Sequence, residues 1–183
     1  MGSINRFDLQ QISKDYSIAY FFETGTFKGD GVAYALQTPF EGIISVEIIS
    51  SIAAAAKDRF INTPNVTILE GRSTAALEQE LPLLRGNCLF WLDAHFPGAD
   101  AGLTTYDSEE AEEDRLPLMK ELAVIKKWRA QSQDVIIIDD LRIYEDGPYE
   151  NGNVPSDALP RFDRTLHFIY QQFELTHFIV KSY

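Results

Sequence analysis

Apolar residues along this chain gather in short, unbroken runs: Ala19 to Phe22, Gly42 to Val46, Val66 to Leu69, Cys88 to Leu92 and Val135 to Ile138. A strand with one wet face alternates apolar and polar positions. Unbroken runs of this length instead predict strands buried on both faces. Helical patterns lie between them, over 30–36, 50–60, 74–81 and 115–128. Strand and helix alternating this regularly predict an α/β fold with a doubly wound, mostly parallel sheet, right-handed crossovers and helices on both faces. Residues 6–16 are expected to form a helix covering one sheet edge. A helical stretch over 160–172 and a last strand over 175–183, antiparallel to the rest, complete the expected fold. No internal repeat or low-complexity linker interrupts it, so 1–183 is read as a single domain.

Two insertions break this rhythm. One runs over 96–114 and contains the acidic run 107–114; the other runs over 141–160 and is rich in Gly, Pro and Asn. Each follows the C-terminal end of a strand, where open α/β sheets bind ligands, and loops of such length are typically lids or binding loops. The acidic run also suits the start of a helix, where negative charge complements the dipole.

Composition narrows the function. With 183 residues, 45% hydrophobic and 24% charged, the chain has an ordinary globular make-up. No apolar run approaches the ~18 residues of a membrane span. Residues 1–9 lack the basic-then-apolar order of a signal peptide, so cytoplasmic residence is expected. One cysteine, Cys88, excludes an internal disulfide framework and a cysteine zinc site. The net charge of -12 argues against a nucleic-acid partner, which would need a basic face. The nearest basic cluster, Lys126-Lys127-Trp128-Arg129, reads as cations favoured at a helix end. A small-molecule substrate suits the acidity better.

The chemistry collects at predicted strand ends. After the first strand comes Glu23-Thr24-Gly25-Thr26-Phe27-Lys28-Gly29-Asp30-Gly31. Glycines let backbone approach a ligand, and the helix that follows offers unpaired N–H groups. The glycines fall at 25, 29 and 31, which is not the G-x-G-x-x-G dinucleotide pattern. Glu47 stands at the tip of the second strand, where a carboxylate can accept from both hydroxyls of a ribose. Gly71-Arg72-Ser73 follows the third strand; Ser73 is a good N-cap, and the backbone there could read an adenine edge. Asp93 and His95 follow the fourth strand and Asp139-Asp140 the fifth. In a doubly wound sheet these ends are neighbours, and three carboxylates together call for a cation or a proton. Oxygen ligands suit Mg²⁺ or a similar hard divalent ion. His95 is open to three readings: a ligand, a general base, or a loop histidine bonded to backbone. Trp91, Tyr106, Tyr144 and Tyr149 are placed near the site, where they could stack on a ring or simply pack.

With these residues in place, the chain resembles the class I S-adenosylmethionine-dependent methyltransferases over about residues 18–140. The resemblance implies a Rossmann-like fold and S-adenosylmethionine as cofactor. Glu23, Gly25 and Thr26 would hold its methionine part, Glu47 its ribose, and Arg72 and Ser73 would lie by its adenine. Arg72 stands where that family often has an acid. Asp93 counts with the cofactor site as well as with Asp139 and Asp140, because the latter trio resembles the Mg²⁺ site of metal-dependent O-methyltransferases of the catechol and macrocin types. The implied reaction is O-methylation of a small hydroxylated acceptor, with Asp93 and His95 catalytic; Lys28 is a second candidate base. Two other readings stand beside it: a cofactor-binding module without chemistry, and a metal-dependent nucleotide-sugar enzyme, against which the acid beside a would-be diphosphate argues.

Overall fold

The computed structural model describes residues 3–108, 111–150 and 152–182. Five strands form one all-parallel sheet: β1 (Ile18–Thr24), β2 (Gly42–Glu47), β3 (Val66–Glu70), β4 (Asn87–Leu92) and β5 (Val135–Ile138), in the order β3-β2-β1-β4-β5. Each unbroken apolar run is a strand. Successive side chains go to opposite faces, and both faces are covered. Phe21, Ile43, Leu89 and Trp91 bury into a cluster with Leu9 of α1 (Leu9–Tyr16), Val32 and Ala35 of α2 (Asp30–Ala35), and Phe60, which ends α3 (Ser50–Arg59). Phe22, Ile44, Phe90 and Leu92 bury on the other face. There they meet Leu77 of α4 (Ser73–Glu80), Leu122 of α6 (Leu118–Arg129) and Phe168 of α7 (His167–Phe173). No helix of the described residues is long and apolar enough to cross a membrane.

Several expectations are corrected. Residues 175–182 form no strand, and the expected antiparallel C-terminal strand is not formed; Leu175 and Phe178 are each 95% exposed. Tyr183 lies outside the described residues, as do Glu109 and Glu110 of the acidic run. The apolar residues Leu175, Phe178 and Val180 have a strand-like look, but among the described residues no strand pairs with them. The helix expected over 160–172 begins only at His167. The first helix packs on β1, the central strand, rather than on a sheet edge. The helix expected from Arg115 divides: α5 (Glu112–Arg115) stops and α6 starts afresh after Pro117. Leu116, at φ -138° and ψ 77°, leaves the helical region as a residue before proline is driven to do.

The basic cluster is not simply a dipole effect. Arg129 is buried and makes a two-pronged pair with Asp134, at 2.9 and 2.8 Å, while also donating to the carbonyl of Gly86. Asp134 accepts in turn from the amide of Cys88 at 2.7 Å. The pair locks the end of α6 to the beginnings of β4 and β5. Cys88 itself is core, as its apolar surroundings predict. The carboxyl ends of all five strands lie at the other end of the sheet.

Candidate functional site

Strand order reverses between β2-β1 and β4, and there the loops after the strands part to leave an open cleft. Gly25, Glu47, Arg72, Ser73, Asp93 and His95 all line it. Six of the sequence-predicted positions, from four different strand ends, therefore meet at one place.

The turn after β1 explains its own glycine. Gly25 has φ +88°, and its N–H donates to the Val46 carbonyl at 2.9 Å. A Cβ there would stand 2.8 Å from the Asp93 carbonyl oxygen, so only glycine lets β1 and β4 close this tightly at the cleft floor. Glu47 fixes the turn from β2: its carboxylate accepts from the amides of Phe27 and Ile49, each at 2.9 Å. One lone pair on each oxygen is left over for a ligand.

Glu23 and Thr26 do not face the cleft. Ser45 donates to Glu23 at 2.5 Å and its hydroxyl meets that of Thr26 at 2.6 Å, so the three form a buried chain beneath the turn. A Cβ on Gly31 would overlap Glu23 Oε1. Burial pushes the Glu23 carboxyl up to about 8, aided by the charges of Asp93 and Glu47 and opposed by the Ser45 bond. Ser73 is the first residue of α4 rather than its N-cap, a place taken by the backbone of Arg72. The Arg72 guanidinium spans Asp114 with two bonds of 2.6 Å, tying the cleft rim to the start of α5.

At the β4 and β5 ends the expected charges are present but already paired. His95 Nε2 lies 2.9 Å from Asp140 and Nδ1 3.5 Å from Asp93. Arg6 reaches Asp139 at 2.7 Å, and Arg142 reaches Asp140 at 3.3 Å. Burial pushes Asp93 up to about 7, with Asp139 and Asp140 adding and His95 opposing. Burial and Asp140 likewise raise Asp139. Burial would also raise Asp140, but the His95 bond and the charges of His95 and Arg142 hold it down to about 2. Burial alone would lower His95; its bond to Asp140 and the carboxylates around it bring it up to about 9 instead. A histidine so placed is an imidazolium donor near neutrality, not the waiting base that the sequence suggests.

A divalent cation does not fit this arrangement. Among the described residues no three acid, histidine or cysteine side chains converge as a ligand set. Asp139 and Asp140 already hold guanidinium and imidazolium groups. One oxygen of Asp93 and one of Asp139 are buried without a hydrogen bond, yet the first already faces His95 Nδ1 at 3.5 Å and the second belongs to the carboxylate that holds Arg6. Asp139 and Asp140 also lie behind His95 rather than on the cleft wall.

Other expectations separate here. Trp91 and Tyr144 are core residues, at 2% and 3% exposure. Phe27 and Phe96, not singled out beforehand, are the aromatic rings on the cleft wall. Lys28 is exposed and stands over the Phe27 ring, off the cleft.

Glu121 of α6 was missed altogether. It is 1% exposed beneath the site, its Oε1 without a partner. Burial pushes its carboxyl up to about 7, against the nearby hydroxyls of Ser73 and Thr24 and the charge of His95. An acid inside the apolar pattern of α6 was its only signal. The folded chain holds this proton more tightly than the unfolded one. Its contribution to stability is therefore largest below the ordinary carboxyl range and falls as pH rises towards 7. Glu121→Gln mimics the protonated form. It should match wild type near pH 4 and exceed it by roughly 3 kcal/mol near pH 8. Urea midpoints across that range check this; a difference that does not grow with pH would refute it.

No protein-family profile matches the chain, and no curated protein does either. Solved structures do match its fold. One is the O-methyltransferase TomG from Streptomyces achromogenes, involved in tomaymycin synthesis and in complex with S-adenosylmethionine. It is 14% identical, with a TM-score of 0.53 over 91% of this chain and 65% of that one. Another is an O-methyltransferase from Bacillus cereus in complex with S-adenosylhomocysteine, 14% identical, with a TM-score of 0.51 over 91% of this chain and 66% of that one. The chain spans roughly half to two thirds of the length of the structures it matches. The architecture is therefore that of the Rossmann-like α/β methyltransferases, and identity this low speaks for the fold alone.

Proposed function

We propose that the chain is the cofactor-binding and catalytic domain, over 1–183, of an S-adenosylmethionine-dependent methyltransferase acting on a small-molecule acceptor. One observation carries the reading: Glu47 and the Gly25 turn, from adjacent strands, meet in one cleft at the switch point of a methyltransferase fold. The carboxylate of Glu47 receives the ribose hydroxyls. The backbone at Gly25 receives the methionine part, with Glu23 and Thr26 holding that turn from below. The segment 71–73 borders the adenine. S-adenosylmethionine supplies an electrophilic methyl group when bound; everything else falls to positioning.

Methyl transfer is an in-line displacement that needs the acceptor atom about 3 Å from the methyl carbon, and orientation alone is worth roughly 7–11 kcal/mol. Asp93 has a buried oxygen without a hydrogen bond, 3.5 Å from His95 Nδ1, and lines the cleft where the acceptor would enter. It accepts a hydrogen bond from the acceptor's hydroxyl and takes its proton. His95 donates beside it and steadies the charge. The O-methyltransferase neighbours support a hydroxyl as the methylated group. No step is routed through a metal, since the carboxylates that would hold one are paired with the chain's own cations.

Titration calorimetry with S-adenosylhomocysteine tests the cofactor assignment. Binding in the micromolar range is expected, weakened at least about tenfold in Glu47→Ala by loss of two charge-assisted hydrogen bonds. Absence of heat at millimolar ligand would end the proposal.

A further inference from the structure

Arg6 comes from the far end of the chain to a carboxylate 133 positions away. Its approach is fixed by packing. The residues just before and after it, Ile4 and Leu9, are 3% and 2% exposed and belong to the core cluster of Phe21, Val32 and Trp91. The Phe7 ring stands edge-on to Trp91 at 6.3 Å, and the Tyr34 hydroxyl donates to the Phe7 carbonyl at 2.9 Å. The short turn Ile4–Arg6 is thus clamped over the strand ends, and the guanidinium it carries has little choice of place.

The receiving carboxylate is equally fixed. Asp139 is nearly sealed, with its side chain 2% exposed, and its amide donates to the Leu92 carbonyl at 3.1 Å. Its Oδ1 takes the Arg6 bond at 2.7 Å, while Oδ2 has no partner. Asp93, on the neighbouring strand end, also has a buried oxygen without a hydrogen bond, 3.5 Å from His95 Nδ1. A buried carboxylate without a counter-charge costs several kcal/mol, so this pocket calls for a proton or a cation. His95 lies between Asp140 and Asp93, and Arg142 serves Asp140. Only Arg6 serves Asp139 among the ion pairs of the described residues.

We propose that Arg6 is the resident counter-cation of Asp139, and that the N-terminal turn delivering it keeps the carboxylates of these strand ends closed to divalent metal. The guanidinium takes the place that a metal would take. It satisfies one oxygen of Asp139, as the His95 imidazolium stands beside Asp93, so neither carboxylate is free to recruit a second cation. The inference does not depend on which cofactor the cleft binds, because it concerns only the charges behind His95. Arg6 is a positioning residue: it touches neither cofactor nor acceptor.

The test is Mn²⁺ binding to chelator-stripped protein, read by electron paramagnetic resonance, with a thermal melt in Mg²⁺ alongside. Wild type should leave Mn²⁺ free and show no Mg²⁺-dependent shift in melting temperature. Arg6→Ala should bind Mn²⁺ on the order of tenfold tighter or more, as a buried charge pair deprived of its cation requires. Arg6→Lys keeps a point charge and should behave like wild type. Asp139→Asn in the Arg6→Ala background should abolish the gain. A merely structural arginine would lower the melting temperature without creating metal affinity. Two results overturn the proposal: wild type binding Mn²⁺ with an affinity that Asp139→Asn removes, or a folded Arg6→Ala that gains none. If Arg6→Ala does not fold, Arg6→Gln, which removes the charge but keeps a polar side chain, carries the same comparison, and the wild-type measurement still decides.

Discussion

Arg115→Met is expected to lower the unfolding free energy by roughly 3–5 kcal/mol, the range for stripping one partner from a buried charged network. Arg115 is 1% exposed, and its guanidinium is the knot between the two long loops. Nε donates to the Tyr106 carbonyl at 2.7 Å in the first loop. Nη2 donates to the carbonyls of Asp157 and Leu159, at 2.8 and 3.0 Å, in the second. Nη1 pairs with Glu112, and the whole group lies over the Phe96 ring at 5.0 Å. Methionine fills much of the volume but leaves three carbonyls without their donor and Glu112 with Arg161 in place of two partners. Lysine is expected to be little better, since one ammonium cannot reach acceptors on two loops at once. The loss should be local before it is global. Limited proteolysis is expected to cut within 97–108 and 145–160 under conditions in which wild type is intact. Arg72→Ala, which breaks a pair whose arginine is 63% exposed, should cost about 1 kcal/mol or less. Equal urea midpoints for Arg115→Met and wild type would show that the loops are held by something else.

Arg115 also marks where sequence reading stops. The five strands were legible because burial on both faces leaves a local trace, one apolar residue after another. Phe21 and Phe22 go to opposite cores, yet both write the same letter class into the chain. The cleft was legible for a related reason: strand ends in a doubly wound sheet converge by topology, so Gly25, Glu47, Ser73, Asp93 and His95 could be placed together without knowing a single distance. What failed was whatever depends on a partner elsewhere in the chain. The direction of Glu23, beneath the turn rather than into the cleft, is set by Ser45. The neutralisation of Asp139 is set by a residue near the N-terminus. The last strand failed for the converse reason, since apolar residues such as Leu175, Phe178 and Val180 form a strand only where an edge receives them. One local hint was available for Arg115. A cation at the start of a helix opposes the dipole, which suggests a second employment for it. Trp91 and Tyr144 were placed near the site by chain position, which is correct to within a few residues and says nothing about which way a ring points.

Gly25→Ala is expected to weaken S-adenosylhomocysteine binding by about 100-fold or more, roughly 2.7 kcal/mol, while the protein still folds. Two constraints meet at this position. The backbone sits at φ +88°, which costs a side-chain-bearing residue on the order of 1–3 kcal/mol. The new Cβ would also press on the Asp93 carbonyl oxygen from 2.8 Å, and backbone cannot yield as a side chain does. Relief requires the turn to lift away from the end of β4, and that motion carries it into the cleft, where the ligand would lie. Gly29 supplies the control. It too has a left-handed backbone, at φ +79°, but a Cβ there meets the Phe60 ring, which can shift, and Gly29 does not line the cleft. Gly29→Ala should therefore cost a similar amount of stability and keep most of the affinity. Calorimetry and urea unfolding on the two variants separate the explanations. If both lose binding in proportion to their loss of stability, the effect is general softening of the turn. If Gly25→Ala alone loses binding, the close approach of β1 and β4 is what shapes the cofactor's seat.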